Sequence, residues 1–329
     1  MKPLLWIGRT IRLFLMGLGG AAVLFFCFAR SELSALLAAL PTAAGAVPAM
    51  SGPKPLKSAI SAAPVPMLCT GKQVKDARSY QSGEDQRAAE IARTSTLVEK
   101  DADGRELWNT LDGHFWILPN ELPSLADVLA EEDNHVYEEN GEGVHRGDVV
   151  LDGGAHYGVY VRHALSLGAK VVVAIEIAPG NVACLRKTFA EEVRAGRVIV
   201  YPKGIWSRDE EVVLQMGRTS AGNTVATERK DQGPKVSLTT IDKLVAELRL
   251  PRVDFIKMDI EGAEPKAVVG ATETIRKFRP RLALSAYHFR NDPMDLLVGV
   301  RNIVPTYWVS FGPCKELWTG IVPVVIFLH

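Results

Sequence analysis

Val149-Val150-Leu151-Asp152-Gly153-Gly154-Ala155-His156-Tyr157-Gly158 is the stretch that decides the fold. Three apolar residues end in an acid, and glycines follow before the next helical stretch, about Val159 to Leu167. An apolar run closed by a glycine turn and a helix is the first half of a β-α-β unit. The same unit recurs downstream. Val171–Ile175 ends in Glu176, Val198–Tyr201 follows a helical stretch over Asn181–Ala195, and Phe255–Met258 ends in Asp259. Leu282–Leu284 is a fifth run, and Tyr307–Val309 and Val324–Leu328 read as the last strands. Between them, Thr240–Leu248 and Leu296–Val304 have helical patterns, and Val268, Ala271, Ile275 and Phe278 share one helix face. Runs that are apolar at nearly every position are strands covered on both faces, so the sheet is mostly parallel. The last two strands lack a long helix between them and predict an antiparallel hairpin at one edge.

Upstream the pattern is less regular. Gln73–Arg93 is polar and compatible with a loose helix. Glu106–Trp108 and His114–Ile117 read as short strands around the turn Leu111-Asp112-Gly113, and Leu122–Glu132 has helical spacing. From Pro41 to about Pro66 the chain is rich in Ala, Pro, Ser and Gly, a linker composition. Leu13–Ala29 is 17 residues without a charge, preceded by Lys2, Arg9 and Arg12 and closed by Arg30. Its length suits a single-pass signal anchor, and the positive flank predicts a cytoplasmic N-terminus with the C-terminal domain across the membrane. A cleaved signal peptide is the competing reading. The expected organisation is an anchor over 1–30, a linker over 31–72, a small extension over 73–146 packing on the main domain, and the α/β domain over 147–329.

The 329 residues carry 38 basic and 38 acidic side chains. That balance argues against a nucleic-acid partner, which usually needs a basic surplus. Cys27, Cys69, Cys184 and Cys314 lie far apart with no C-x-x-C pair, and predict neither a zinc site nor a disulfide framework. Cys184 reads as a small buried apolar group.

In open parallel sheets, ligands bind beyond the carboxyl ends of the strands, where Asp152, Glu176 and Asp259 all fall. Asp152-x-Gly154-x-x-x-Gly158 is not the dinucleotide pattern G-x-G-x-x-G, because an acid leads the loop where a pyrophosphate would be repelled. A carboxylate suits a ligand with a cationic amino group, and S-adenosylmethionine has an amino group, a sulfonium and no phosphate. A tight strand-to-helix turn capped by Asp152 is the plainer alternative. Glu176, 24 residues on, is placed to accept bonds from ribose hydroxyls. Asp259, Glu261 and Glu264 open a helix after a buried strand. Capping accounts most easily for Glu264, and Asp259 and Glu261 face the expected cleft. His288, after the fifth run, would sit across that cleft as a proton acceptor.

These residues together resemble the FkbM family of S-adenosylmethionine-dependent methyltransferases, over roughly Tyr137 to the C-terminus. The resemblance is carried by Ile256–Glu264 (I-K-M-D-I-E-G-A-E) with Gly270-Ala271, by Gly147–Gly158, by Thr240-Ile241-Asp242 and by Tyr287-His288. It implies a Rossmann-like class I methyltransferase fold with a seven-stranded sheet, and O-methylation. It also implies that Asp152, Gly154 and Gly158 line the cofactor and that Glu176 holds its ribose. Glu176-Ile177-Ala178-Pro179 stands where the family often reads Glu-Pro-x-Pro, and His156-Tyr157 stands where Asn and a small aliphatic residue are common. The expected cofactor set is Asp152, Gly153, Gly154, Ala155, His156, Gly158, Glu176, Ile177 and Asp259. His288, Asp259 and Glu261 are the expected catalytic group. No resident metal is expected, although Asp259, Glu261 and His288 could hold a divalent ion. The expected acceptor is a hydroxyl on a sugar, glycan or small polyol, with Ser220, Asn223 and Thr224 in a polar loop that could touch it. An NAD-dependent oxidoreductase and a non-enzymatic membrane-anchored binding module are the alternatives.

Overall fold

The computed structural model describes residues 68–138, 141–217, 219–225, 233–289, 291–317 and 320–329. The expected anchor and nearly all of the linker lie outside these residues. Among the described residues no helix is long and apolar enough to cross a membrane.

Seven strands form the central sheet: β1 (Val149–Gly153), β2 (Val171–Ile175), β3 (Val198–Tyr201), β4 (Phe255–Met258), β5 (Arg281–Ser285), β6 (Val309–Phe311) and β7 (Val325–Leu328). Their order across the sheet is β6-β7-β5-β4-β1-β2-β3. β7 runs antiparallel to both of its neighbours, and the remaining pairs are parallel. The expected edge pair is therefore present, with β6 two residues later than Tyr307–Val309 suggested.

Alternate residues of each strand enter opposite cores. Leu151, Val173, Ile256, Leu282 and Ile326 pack on one face against the helices α6 (Ile241–Glu247), α7 (Glu264–Val269), α8 (Thr272–Phe278) and α9 (Asp292–Ile303). Val150, Val172, Phe255, Ala283 and Phe327 pack on the other against α3 (Val159–Ser166) and α4 (Pro179–Thr188). This double burial is why the strands read as unbroken apolar runs rather than as alternations. The helix expected over Asn181–Ala195 is interrupted at Phe189 (φ −111°, ψ 31°) and resumes as α5 (Ala190–Arg194). α6 begins where Thr240 caps it, its side chain accepting from the Lys243 amide.

The N-terminal part forms α1 (Gly71–Thr94), a three-stranded antiparallel meander (Thr96–Lys100, Glu106–Thr110, Gly113–Ile117) and α2 (Leu122–Asp133). Ile91 of α1, Phe115 and Ile117 of the meander and Leu125 and Leu129 of α2 share a core with Tyr157 and Cys184 of the main domain. Cys184 is a buried free thiol, as read from its helical setting.

The cysteine expectation is overturned for one pair. Cys69 and Cys314 form a disulfide across 245 residues of sequence. Cys314 opens a hairpin inserted between β6 and β7, Cys314–Leu317 with Gly320–Pro323, which packs against α1. From the same hairpin Lys315 Nζ reaches Glu84 of α1 at 2.9 Å and Glu131 of α2 at 3.3 Å. Sequence separation carried no information about this neighbourhood, because the hairpin folds back on the first helix only in the finished structure.

Candidate active site

The sheet order reverses between β1 and β4, and the cleft opens at that switch point. Gly154 after β1, Glu176 after β2 and Asp259 and Glu261 after β4 line it together. The two central loops are stitched together, with the Asp259 amide donating to the Gly153 carbonyl at 3.0 Å and the Gly154 amide to Ile175 at 3.0 Å. A Cβ on Gly154 (φ +77°) would lie 1.9 Å from the Asp259 carbonyl oxygen. Only glycine lets these loops close on each other.

Glu176 is buried. Its Oε2 accepts from the His156 amide at 2.8 Å and its Oε1 from the Ala178 amide at 2.7 Å. The Ile177 amide and the Asn181 side chain also bond this carboxylate. Burial pushes its pKa up to about 7, against the pull of those backbone donors. His156 and Ile177 also line the cleft. Ser220 Oγ donates to Glu121 at 2.7 Å and lies 2.7 Å from His156 Nε2, so it accepts from that nitrogen. This fixes the proton on Nε2 and leaves the buried Nδ1 an acceptor without a partner. Burial, aided by Lys257, pushes the His156 pKa down to about 3, so the ring stays neutral.

Asp152 is corrected by the structure. It does not line the cleft. Its side chain is closed off behind the loop, 3.0 Å from Lys257 Nζ. Lys257 also contacts the Gly154 carbonyl at 3.2 Å and stands over the rings of Tyr137 and Tyr160. Burial works against the charge on Lys257, but the attraction of Asp152 and Asp259 outweighs it and raises its pKa. With its charge neutralised from the adjacent strand, Asp152 supports the loop and leaves cationic ligands to other acids. Gly153, Ala155 and Gly158 also stand off the cleft. Gly158 (φ +89°) starts α3, and a Cβ there would meet the Phe189 ring at 2.2 Å, so packing requires this glycine.

The structure brings Asp259, Glu261 and His288 together and adds Glu264. His288 Nε2 lies 3.4 Å from Asp259 and 3.8 Å from Glu261, and its Nδ1 lies 3.6 Å from Glu264. Burial opposes the charge on His288, yet Asp259, Glu264 and Glu261 outweigh it and raise the pKa to about 9. The ring is therefore an imidazolium at neutral pH. A charged ring has no free lone pair, which weighs against the expected role of His288 as proton acceptor. Asp259 is held below the ordinary carboxylate range by His288, Lys257 and Tyr137 despite its burial. Burial and the repulsion of Asp259 push Glu261 up to about 7, and burial does the same for Glu264. Asp259, Glu264 and His288 have donor atoms close enough to share a metal ion, a set that replaces Glu261 of the sequence reading with Glu264. Carboxylates flank both ring nitrogens, whereas a single ion would engage only one of them. The geometry is that of a clamped imidazolium.

Two non-glycine residues of the cleft, His156 (φ 49°) and Glu261 (φ 57°), adopt the left-handed backbone conformation. Such strain, roughly 1–3 kcal/mol per residue, tends to collect at functional sites. Ser220 and Asn223 do reach the cleft, while Thr224 is absent from its lining. Sequence reading missed Tyr137, whose hydroxyl donates to Asp259 Oδ2 at 2.9 Å and lies 3.2 Å from Ser285 Oγ. It also missed Lys257. A lysine within Phe255-Ile256-Lys257-Met258 was the available signal, since a cation in a fully buried strand demands an acid beside it.

Residues 152–304 match the family model described as Methyltransferase FkbM domain. Among solved structures, the chain resembles a methyltransferase FkbM from Methylobacillus flagellatus KT at 19% identity and TM-score 0.43, covering 78% of this chain and 60% of that one. It also resembles a SAM-dependent methyltransferase from Agrobacterium tumefaciens at 12% identity and TM-score 0.38, covering 73% and 78%. A third likeness is to Aeropyrum pernix fibrillarin in complex with natively bound S-adenosyl-L-methionine, at 12% identity and TM-score 0.34, covering 71% and 99%. No curated protein matches the chain. The present chain thus spans 60% of the length of the Methylobacillus protein. The matched segment runs from the buried Asp152 through Glu176 and Asp259 to His288 and α9, and over that span the chain is similar to a methyltransferase FkbM domain.

Proposed function

We propose that the cleft binds S-adenosylmethionine and that the domain methylates a hydroxyl oxygen on a sugar, glycan or small polyol. The observation that carries this reading is the acid lining: Glu176, Asp259 and Glu261 converge on one cleft around the Gly154 backbone. Such a lining favours a cationic nucleoside and disfavours the pyrophosphate of a nicotinamide dinucleotide. The donor set fits the cofactor in detail. Glu176 is a buried carboxylate on the cleft wall suited to a ribose diol, and the buried His156 Nδ1 has no partner and could be satisfied by an amino group.

When bound, S-adenosylmethionine would supply an electrophilic methyl group, attacked in line by an acceptor oxygen as the sulfur leaves as a neutral thioether. The protein's task is then to hold that oxygen in line and to receive its proton. Glu261 is our proton acceptor, with a pKa near neutrality and a position on the cleft wall. His288 holds Asp259 and Glu264 in place as a shared cation. Ser220, Asn223 and Glu261 give the mouth a polar character that suits a hydroxylated acceptor.

Two features support our reading of the domain's compartment. The Cys69–Cys314 bond favours an oxidising environment, and the charge flank of Leu13–Ala29 favours translocation of everything after it. We place the domain across the membrane, in a compartment supplied with the cofactor. Methyl uptake from labelled S-adenosylmethionine onto a panel of glycans and polyols tests the activity, and no transfer to any hydroxyl acceptor would count against it. Protease protection in sealed vesicles tests the side.

A further inference from the structure

A second cluster of metal-ligating side chains lies outside the cleft, where the end of α2 meets α3. Glu132 sits in the last turn of α2, His135 and Glu138 follow within six residues, and His163 comes from α3. His163 Nε2 is in contact with Glu138 Oε1 and lies 3.5 Å from Glu132 Oε1, and His135 Nδ1 lies 3.7 Å from Glu138 Oε2. The donor atoms of His135, Glu138 and His163 all fall within 4.8 Å of one another. A tetrahedral ion with ligands at about 2.0–2.2 Å has donors about 3.3–3.6 Å apart, so small side-chain rotations would close this set on an ion.

The cluster has an electrostatic deficit that its own protons do not fill. One nitrogen, His163 Nε2, faces two carboxylates and carries at most one hydrogen. Bonded to Glu138, it leaves Glu132 Oε1 without a donor, and that oxygen is shut off from solvent on a residue only 9% exposed. Burying a carboxylate oxygen unpaired is unfavourable. A dication in place of the single proton would be held by His135, Glu138 and His163 and would offset the charge of Glu132 beside it. His135 is exposed and, with Glu138, lines an open surface depression, so an ion has a path in.

We propose that His135, Glu138 and His163, beside the buried Glu132 carboxylate, form a binding site for a first-row transition cation, with Zn2+ the best match to two imidazoles and a carboxylate. The ion would staple the end of α2 to α3. α3 starts at the Gly154–Gly158 loop, and α2 carries Glu131, which pairs with Lys315. The site is thus a structural clasp joining the N-terminal part to the cofactor loop, and it contributes no group to the cleft.

The test is calorimetric titration of the tag-free, chelator-treated protein with Zn2+, with a parallel measurement of Tm. His135→Ala and Glu138→Gln are surface-accessible changes that preserve folding, and His163→Gln is the central one. The expected result is saturable binding that raises Tm, weakened at least about tenfold in His135→Ala and Glu138→Gln and unchanged in the cleft variant Glu261→Gln. Absence of saturable Zn2+ binding by the parent would overturn the site. So would binding that His135→Ala and Glu138→Gln leave intact, because the ion would then sit elsewhere.

Discussion

Lys257 Nζ and Asp152 Oδ1 lie 3.0 Å apart on neighbouring parallel strands, paired in register and both closed to solvent. This pair turns the acid that leads the glycine loop from a ligand contact into a support. Breaking it leaves one buried charge without its partner, which typically costs about 3–5 kcal/mol. Lys257→Met is therefore expected to lower Tm sharply. Asp152→Asn in the same chain should restore part of the loss, and a double-mutant cycle by thermal or urea unfolding reads the coupling. Additive losses would mean the two side chains do not act as a pair.

Stability should fall as pH rises from about 5 to 9. Glu176, Glu261 and Glu264 each have a pKa raised from 4.5 to about 7. A raised carboxyl contributes stability that is complete below its unfolded pKa and is lost as pH climbs through the folded value. His288, raised from 6.5 to about 9, acts in the same direction over the upper half of the window. Scanning calorimetry at unit pH steps should show Tm decreasing across the range, and Glu264→Gln should flatten its lower half. A Tm that rises from pH 5 to 7 would contradict the burial of these acids.

Glu261 and His288 predict different pH–rate profiles. With Glu261 as proton acceptor, kcat/KM rises with pH through about 7, because only the ionised carboxyl takes the proton. If the ring accepted the proton, the limb would lie near 9. Glu261→Gln should lower kcat by roughly 10²- to 10⁴-fold and abolish the limb near neutrality. A profile that keeps that limb in Glu261→Gln would remove Glu261 from the role.

Reduction of Cys69–Cys314, or its replacement by serines, should destabilise the folded chain by about 2–5 kcal/mol, since the bridge closes a very long loop. Lys315 anchors the same hairpin to Glu84 and Glu131, so proteolysis near residue 70 should accelerate in the double serine variant. Unchanged Tm under reducing conditions would show that packing of α1 alone holds the hairpin.

Much of this architecture is written locally in the chain. The runs ending at Asp152, Glu176 and Asp259 are apolar on both faces, so each strand announces itself, and the sheet then places those three strand ends side by side. Thr240 marks the start of α6 through its own side chain. What escaped local reading depends on distant partners. Thr96–Lys100 is exposed at every position and shows no buried face to betray a strand. Tyr137 finds Asp259 across 122 residues, and Ser220 finds His156 across 64. The fate of Asp152 turned on one lysine in the adjacent strand, and the protonation of His288 on Asp259 first and then on Glu264, which had looked like a plain helix cap. Glu264 instead accepts from the Ile260 amide of the preceding loop at 2.7 Å.

The central claim is that an acid-lined cleft holds S-adenosylmethionine through Glu176, and the most direct measurement is calorimetric titration of the parent and of Glu176→Gln with S-adenosylmethionine and, separately, with NAD. The account predicts one site for S-adenosylmethionine, affinity reduced about tenfold in Glu176→Gln from the loss of about 1.4 kcal/mol of hydrogen bonding to the ribose, and no binding of NAD. Failure of the parent to bind S-adenosylmethionine, or tighter binding of NAD, would contradict it.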